Sequence, residues 1–129
     1  MRIATAKAFQ ALREPQPACD AFKRAFEIQG SNPDVAREYM FACLELGRAE
    51  EGVLAADRAV SLSPSDAGLH ANLALAYLLA GRHSAARTSI GEALRLDPSD
   101  KISQNVRKVI QEVIDGKRPQ PKKIGDIDG

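Results

Sequence analysis

Apolar side chains recur along this chain at the period of an α-helix, in short runs separated by glycine or proline. Over residues 67–80, Leu73, Ala74, Tyr77 and Leu78 fall at i, i+1, i+4 and i+5, one stripe on a 3.6-residue helix. Gly81 follows and supplies a turn position open to left-handed backbone. A second helix spans 83–96, with Ala86, Ile90, Ala93 and Leu94 on one face. Pro98 then blocks continuation, because proline lacks the amide donor and clashes with the preceding turn. Helix, short turn, helix and proline stop predict an antiparallel pair.

The same plan occupies the preceding 34 residues. Pro33 stands where a first helical turn tolerates proline, after the capping residues Ser31 and Asn32. Tyr39, Met40 and Cys43 take the inner face, Gly47 the turn, and Gly52, Ala56 and Ala59 the second helix, with Pro64 as the stop. The two copies agree residue by residue: Gly47-Arg48 recurs as Gly81-Arg82, and Ala59, Leu62, Pro64, Ser65 and Asp66 recur as Ala93, Leu96, Pro98, Ser99 and Asp100. A weaker copy precedes both, with Ala6, Phe9, Ala18, Phe22 and Ala25 in the positions of Ala74, Tyr77, Ala86, Ile90 and Ala93. In it Arg13 replaces the turn glycine, Gly30 replaces the stop proline, and Pro15 and Pro17 mark the start of the second helix. A fixed period of this length marks a stacked helical repeat, in which each unit buries its apolar face only against its neighbours.

The register breaks after residue 100. A fourth repeat would bury Gln104, Arg107, Lys108 and Gln111, which polar and charged side chains without partners do not tolerate. Ile102, Val106, Val109, Ile110 and Val113 form their own helical stripe instead, so the helix over 101–115 is rotated relative to a repeat and reads as a cap. Gly116 ends it. Residues 117–129 are rich in proline, glycine and charge and are expected to be extended or disordered.

These residues resemble the tetratricopeptide repeat family, whose signature runs W-x2-L-G-x2-Y, then A-x3-F, then P. The third copy holds His70, Leu73, Ala74, Tyr77, Ala86, Ile90 and Pro98 at those sites. The second holds Ala36, Tyr39, Met40, Cys43, Gly52, Ala56 and Pro64, and the first Arg2, Thr5, Ala6, Phe9, Ala18, Phe22 and Gly30. The resemblance covers residues 1–100 and implies an all-α, right-handed α-solenoid. It consists of three helical hairpins (repeats of about 1–32, 33–66 and 67–100), a capping helix at 101–115 and a basic tail at 116–129.

Composition fits this picture and narrows the chemistry. Of 129 residues, 44% are hydrophobic but only 5% aromatic, with no tryptophan, so alanine has to carry much of the helix packing. Net charge is +1, and the tail alone carries four basic and two acidic residues. The remainder is slightly acidic, which gives no domain-wide positive field for nucleic acid or a membrane surface. The tail has no aromatic residue to stack on bases, so it reads as a solubilising segment; Ile124 and Ile127 could instead dock as a short peptide in a neighbouring molecule's groove. Cys19 and Cys43 are too few for a disulfide scaffold and lack metal spacing. The start of the chain has no apolar targeting run. For a complete chain this points to a reducing compartment, most simply the cytoplasm.

No catalytic, cofactor or metal site is expected. His70 takes the large inner-face position and His83 opens a second helix, so they do not pair as ligands. Cys43 reads as a small buried hydrophobe; Cys19, near a helix start, has a somewhat lowered thiol pKa at most. Glycine pairs such as Gly81-Arg82 and Gly91-Glu92 do not form a phosphate loop.

The resemblance implies instead a concave face lined by the first helix of each pair. Carried over position by position, it names Lys7, Arg37, Glu38, Phe41, Asn72, Leu75 and Leu79 as a peptide-binding groove, with Leu44, Ala71 and Leu78 alongside. Two accounts compete for Phe41, Leu75 and Leu79: burial by the curl of the superhelix or by the capping helix, or an exposed apolar strip for a peptide or partner helix. Relatives that grip the carboxylate of heat-shock chaperones use a lysine, asparagine and arginine clamp on this face. Here Arg37 and Asn72 fill two of the five clamp sites, while Phe41, Ile102 and Val106 fill the others and cannot bond a carboxylate.

The expected function is non-catalytic binding of a protein or peptide. Open alternatives are a dedicated chaperone of a secreted substrate, as in the type III secretion class built from this repeat, and a regulatory domain of a larger enzyme. The first helix carries Ile3, Phe9 and Leu12 with no upstream cap, so the N-terminal end is a possible homo-oligomer contact.

Overall fold

The computed structural model describes residues 15–127. Six α-helices follow one another: α1 (Pro15–Ile28), α2 (Pro33–Leu46), α3 (Ala49–Leu62), α4 (Ala67–Leu79), α5 (His83–Leu96) and α6 (Lys101–Ile114). A 3-10 turn, η1 (Ile124–Asp126), comes last. The pairs α2/α3 and α4/α5 are the two hairpins that the repeat predicts. α1 is the second helix of the first pair, and the first helix expected before it, with Lys7 and the N-terminal contact, lies outside the described residues.

Each boundary has a local cause. Asn32 Oδ1 accepts the Asp34 amide at 2.9 Å at the start of α2, and Asp66 Oδ1 accepts the Leu69 amide at 3.3 Å at the start of α4. Asp100 caps α6 by accepting the Ile102 and Ser103 amides at 3.3 Å and the Ser103 hydroxyl at 2.6 Å. Gly47 and Gly81 turn the hairpins at φ 79° and 77°, the left-handed region where a side chain is strained.

The core is built from small residues. Among the described residues fourteen alanines, from Ala18 through Ala93, are buried beside a few large side chains, among them Phe22, Met40, Leu44, Leu78, Ile90 and Ile110. One cluster joins α1, α2, α3 and part of α4; a second joins α4, α5 and α6. Packing is close enough at Gly52 that a Cβ there would sit 2.6 Å from Leu44 Cδ2.

α6 follows the rotation expected of it, with one correction. Gln104, Arg107, Lys108 and Gln111 are exposed, but so is Ile102, at 69%. Ser103 takes the buried position, where its hydroxyl is satisfied by Asp100, and Ile110 and Val113 complete the buried stripe. The tail departs further from its expectation. It does not run free of the repeats; residues 117–127 fold back across them, with Pro121 buried and Ile124 and Ile127 packed against the first core cluster.

Candidate functional site

The first helices α2 and α4 pack against each other, and α4 also packs against α6. At the amino ends of these helices, Arg37, Phe41 and Asn72 line an open groove of about 680 Å³ together with Asp66, Leu96, Asp97, Asp100 and Ile102. Phe41 and Asn72 are half-buried. Arg37 leans between Asp34 at 3.6 Å and Glu38 at 3.7 Å. Asp66 and Asp100 are committed to capping amides, yet their charge remains, so one arginine faces an acidic rim. The Asp100 carboxyl is held below its usual range, first by the Ser103 hydroxyl and then by the backbone amides of Ile102 and Ser103.

Ile102 also lines the second half of the groove, an opening of about 480 Å³ with Leu75, Val106 and Val109 as its apolar wall. Ile124 and Ile127 of the tail enter this half. The tail is held by several bonds. Gln120 Nε2 donates to the Leu78 carbonyl at 2.7 Å, and Gln120 Oε1 meets His83 Nε2 at 2.6 Å. Lys122 and Lys123 pass Gly47 closely enough that a Cβ on the glycine would lie 3.5 Å from the Lys122 carbonyl. Asp126 then accepts the Lys122 amide at 3.0 Å and the Lys123 amide at 3.3 Å, and Ile127 donates its amide to the Ile124 carbonyl at 3.0 Å. Arg118 closes the loop by donating to the Ile127 carbonyl at 2.9 Å while pairing with Glu112 at 3.2 Å.

The seven carried-over residues divide accordingly. Arg37, Phe41 and Asn72 meet in the open half, and Leu75 lines the half that the tail enters. Glu38 sits beside Arg37. Leu79 is not a surface anchor: it is 5% exposed and belongs to the core cluster that holds Met40, Cys43 and Leu44. Leu44, Ala71 and Leu78 are buried too. α4 is enclosed by helices on several sides, with seven buried residues spread around its circumference, so its sequence carries no clear edge between core and groove. The apolar period of α6 puts Ile102 in its buried stripe, whereas its place among the clamp-equivalent positions is the sequence signal that points to the groove.

Elsewhere the side chains have structural partners. His70 Nε2 lies 2.8 Å from the Pro64 carbonyl. Cys19 and Cys43, distant in sequence, meet with Sγ atoms 3.7 Å apart, and Arg48 approaches the Cys19 sulfur at 3.5 Å. Cys19 is held below the ordinary thiol range, mainly by the Cys43 thiol and then by Arg48; Cys43 is pushed up by that same bond and by burial. Among the described residues no group of three histidine, cysteine or acidic side chains could hold a metal, and no helix is long and apolar enough to cross a membrane.

Residues 67–100, the α4/α5 hairpin, match the family model described as Tetratricopeptide repeat. That hairpin is similar to a tetratricopeptide repeat. No curated protein matches it. Among solved structures, the first tetratricopeptide domain of Spaghetti (RPAP3) bound to the HSP90 peptide SRMEEVD superposes with a TM-score of 0.76 at 15% identity, covering 88% of this chain and 90% of that one. The second such domain of human RPAP3 in complex with the HSP70 peptide SGPTIEEVD gives 0.75 at 20%, covering 86% and 96%. The Sgt2 domain from Aspergillus fumigatus gives 0.76 at 17%, covering 90% and 78%. At these identities the likeness is one of fold: an all-α helical repeat solenoid.

Proposed function

We propose that this chain is a non-catalytic interaction module that binds a peptide or partner helix in its concave groove. The observation that carries the reading is the convergence of Arg37, Phe41, Asn72 and Ile102, from three helices, on one open groove. An apolar floor with a few polar groups at its edge is what peptide recognition needs. The structural relatives bound to HSP90 and HSP70 peptides support peptide binding as a use of this fold.

The partner differs in chemistry from those acidic peptides. Phe41, Ile102 and Val106 offer no donors to a carboxylate, and Asp66, Asp97 and Asp100 repel one. Phe41, Leu75 and Ile102 would supply affinity, while Arg37 and Asn72 fix orientation against the peptide backbone and Glu38 holds Arg37 in place.

Selection of displayed random dodecapeptides on the wild-type chain tests the reading. Enriched peptides should be aliphatic and neutral or basic, and should bind the exposed-residue variant Ile102→Glu about ten-fold or more weakly. Peptides that bind Ile102→Glu equally well would place the binding surface elsewhere.

A further inference from the structure

The segment 117–127 resembles a bound ligand more than a linker. It crosses the carboxyl ends of α2, α4 and α6, touching Gly47 after α2 and the Leu78 carbonyl in the last turn of α4. Helix carboxyl ends carry partial negative charge, and none of these three helices has a basic residue in its own last turn. The tail brings four basic residues to that edge: Lys117 and Arg118 donate their amides to the Glu112 carbonyl at the end of α6, and Lys122 and Lys123 pass Gly47 after α2. It then makes a single 3-10 turn, which sets Ile124 and Ile127 three positions apart, on one side, against Leu75, Val106 and Val109. The fit is incomplete. Both isoleucines stay half-buried, and about 480 Å³ of space remains open around them.

We propose that the carboxyl end of the groove is a docking site for short basic peptides bearing two aliphatic residues three positions apart, and that the chain's own 117–127 segment occupies it until a partner of that chemistry displaces it. This rests on the peptide-binding reading above and specifies its ligand. Charge complementarity with the helix ends selects the basic residues, and the apolar wall selects the aliphatic pair. The loose fit makes the occupant exchangeable. Its short tether makes it a strong competitor nonetheless, since a linked ligand acts at an effective concentration on the order of millimolar. An outside peptide therefore meets a mostly closed site, and its apparent affinity falls by the fraction of chains that are open.

The test uses full-length protein and a fluorescein-labelled peptide of residues 117–129. Binding is measured to the wild type, to Ile124→Asp/Ile127→Asp, and to Arg118→Ala/Gln120→Ala, which loosens the tail without touching the apolar wall. The labelled peptide should bind the isoleucine variant at least about ten-fold more tightly than the wild type, and the second variant about three-fold more tightly. A peptide carrying the same two aspartates should not bind. Equal affinity for all three proteins, or no binding to either opened variant, overturns the proposal. If the isoleucine variant loses helical circular dichroism, the Arg118/Gln120 variant decides. A concentration-dependent wild-type dimer in sedimentation would mean that the tail docks on a second copy, and would overturn closure in cis. Library peptides that bind the wild type and Ile124→Asp/Ile127→Asp alike, alongside a silent tail peptide, would sink this proposal and leave the groove reading standing. Failure of the library, with the tail peptide behaving as expected, would do the reverse.

Discussion

Asp100 shows how much of this molecule rests on single polar side chains at helix starts. Its carboxylate accepts two amides and the hydroxyl of the fully buried Ser103, and its pKa is lowered as a result. A carboxyl depressed on folding stabilises the protein fully above its unfolded value, about 4 for aspartate, and loses that contribution as pH falls through the folded value. Asp100→Asn keeps most of the cap, because asparagine caps about as well. Thermal unfolding followed from pH 7 to pH 2 should therefore show a smaller acid-induced loss for Asp100→Asn than for wild type; identical slopes would mean that the cap is not charged in the way described. Tyr39 donates to Glu51 at 2.6 Å from a site whose burial pushes its own pKa up, so Tyr39→Phe should cost about 1 kcal/mol in urea unfolding. Residue identity was read well from sequence where spacing fixes the role, as at Asn32, Met40 and Ile90. Reading failed where two faces meet: Leu79 and Ile102 are both apolar, and only the neighbouring helices decide which is covered.

The repeat itself was legible because its elements are punctuated. Glycines at 47 and 81, prolines at 33, 64 and 98, and a stripe of small apolar residues between them leave one economical solution, two antiparallel pairs in phase. Gly81 tests this at the element scale. Its φ is 77°, and a Cβ there would touch nothing within 4 Å, so Gly81→Ala should destabilise by roughly 1–2 kcal/mol through backbone strain alone. A neutral result in denaturant unfolding would mean that the turn relaxes to another geometry. The tail could not be read in this way. Its proline, lysine and glycine content describes a solvated segment, and its docking depends on features remote in sequence: the carboxyl ends of α2 and α4, the Leu78 carbonyl, and an apolar opening between α4 and α6. The meeting of Cys19 with Cys43 was hidden for the same reason, since only the stacking of α1 on α2 brings them together.

At the scale of the whole molecule, the described stack presents two chemically different openings that share Ile102 and are read as halves of one groove. The amino-end half combines Arg37 and Asn72 with an acidic rim and stands open; the carboxyl-end half is apolar and receives the chain's own isoleucines. On the proposed reading, both halves take a basic, aliphatic peptide. Nitrogen-15 chemical-shift mapping of the wild-type chain, titrated with the strongest peptide from the display selection, tests that account most directly. The account predicts perturbed amides at 37–41, 72–75 and 102–109, together with a second set at 118–127 as the tail gives way. Perturbations confined to the second helices α3 and α5, with those segments silent, would contradict it.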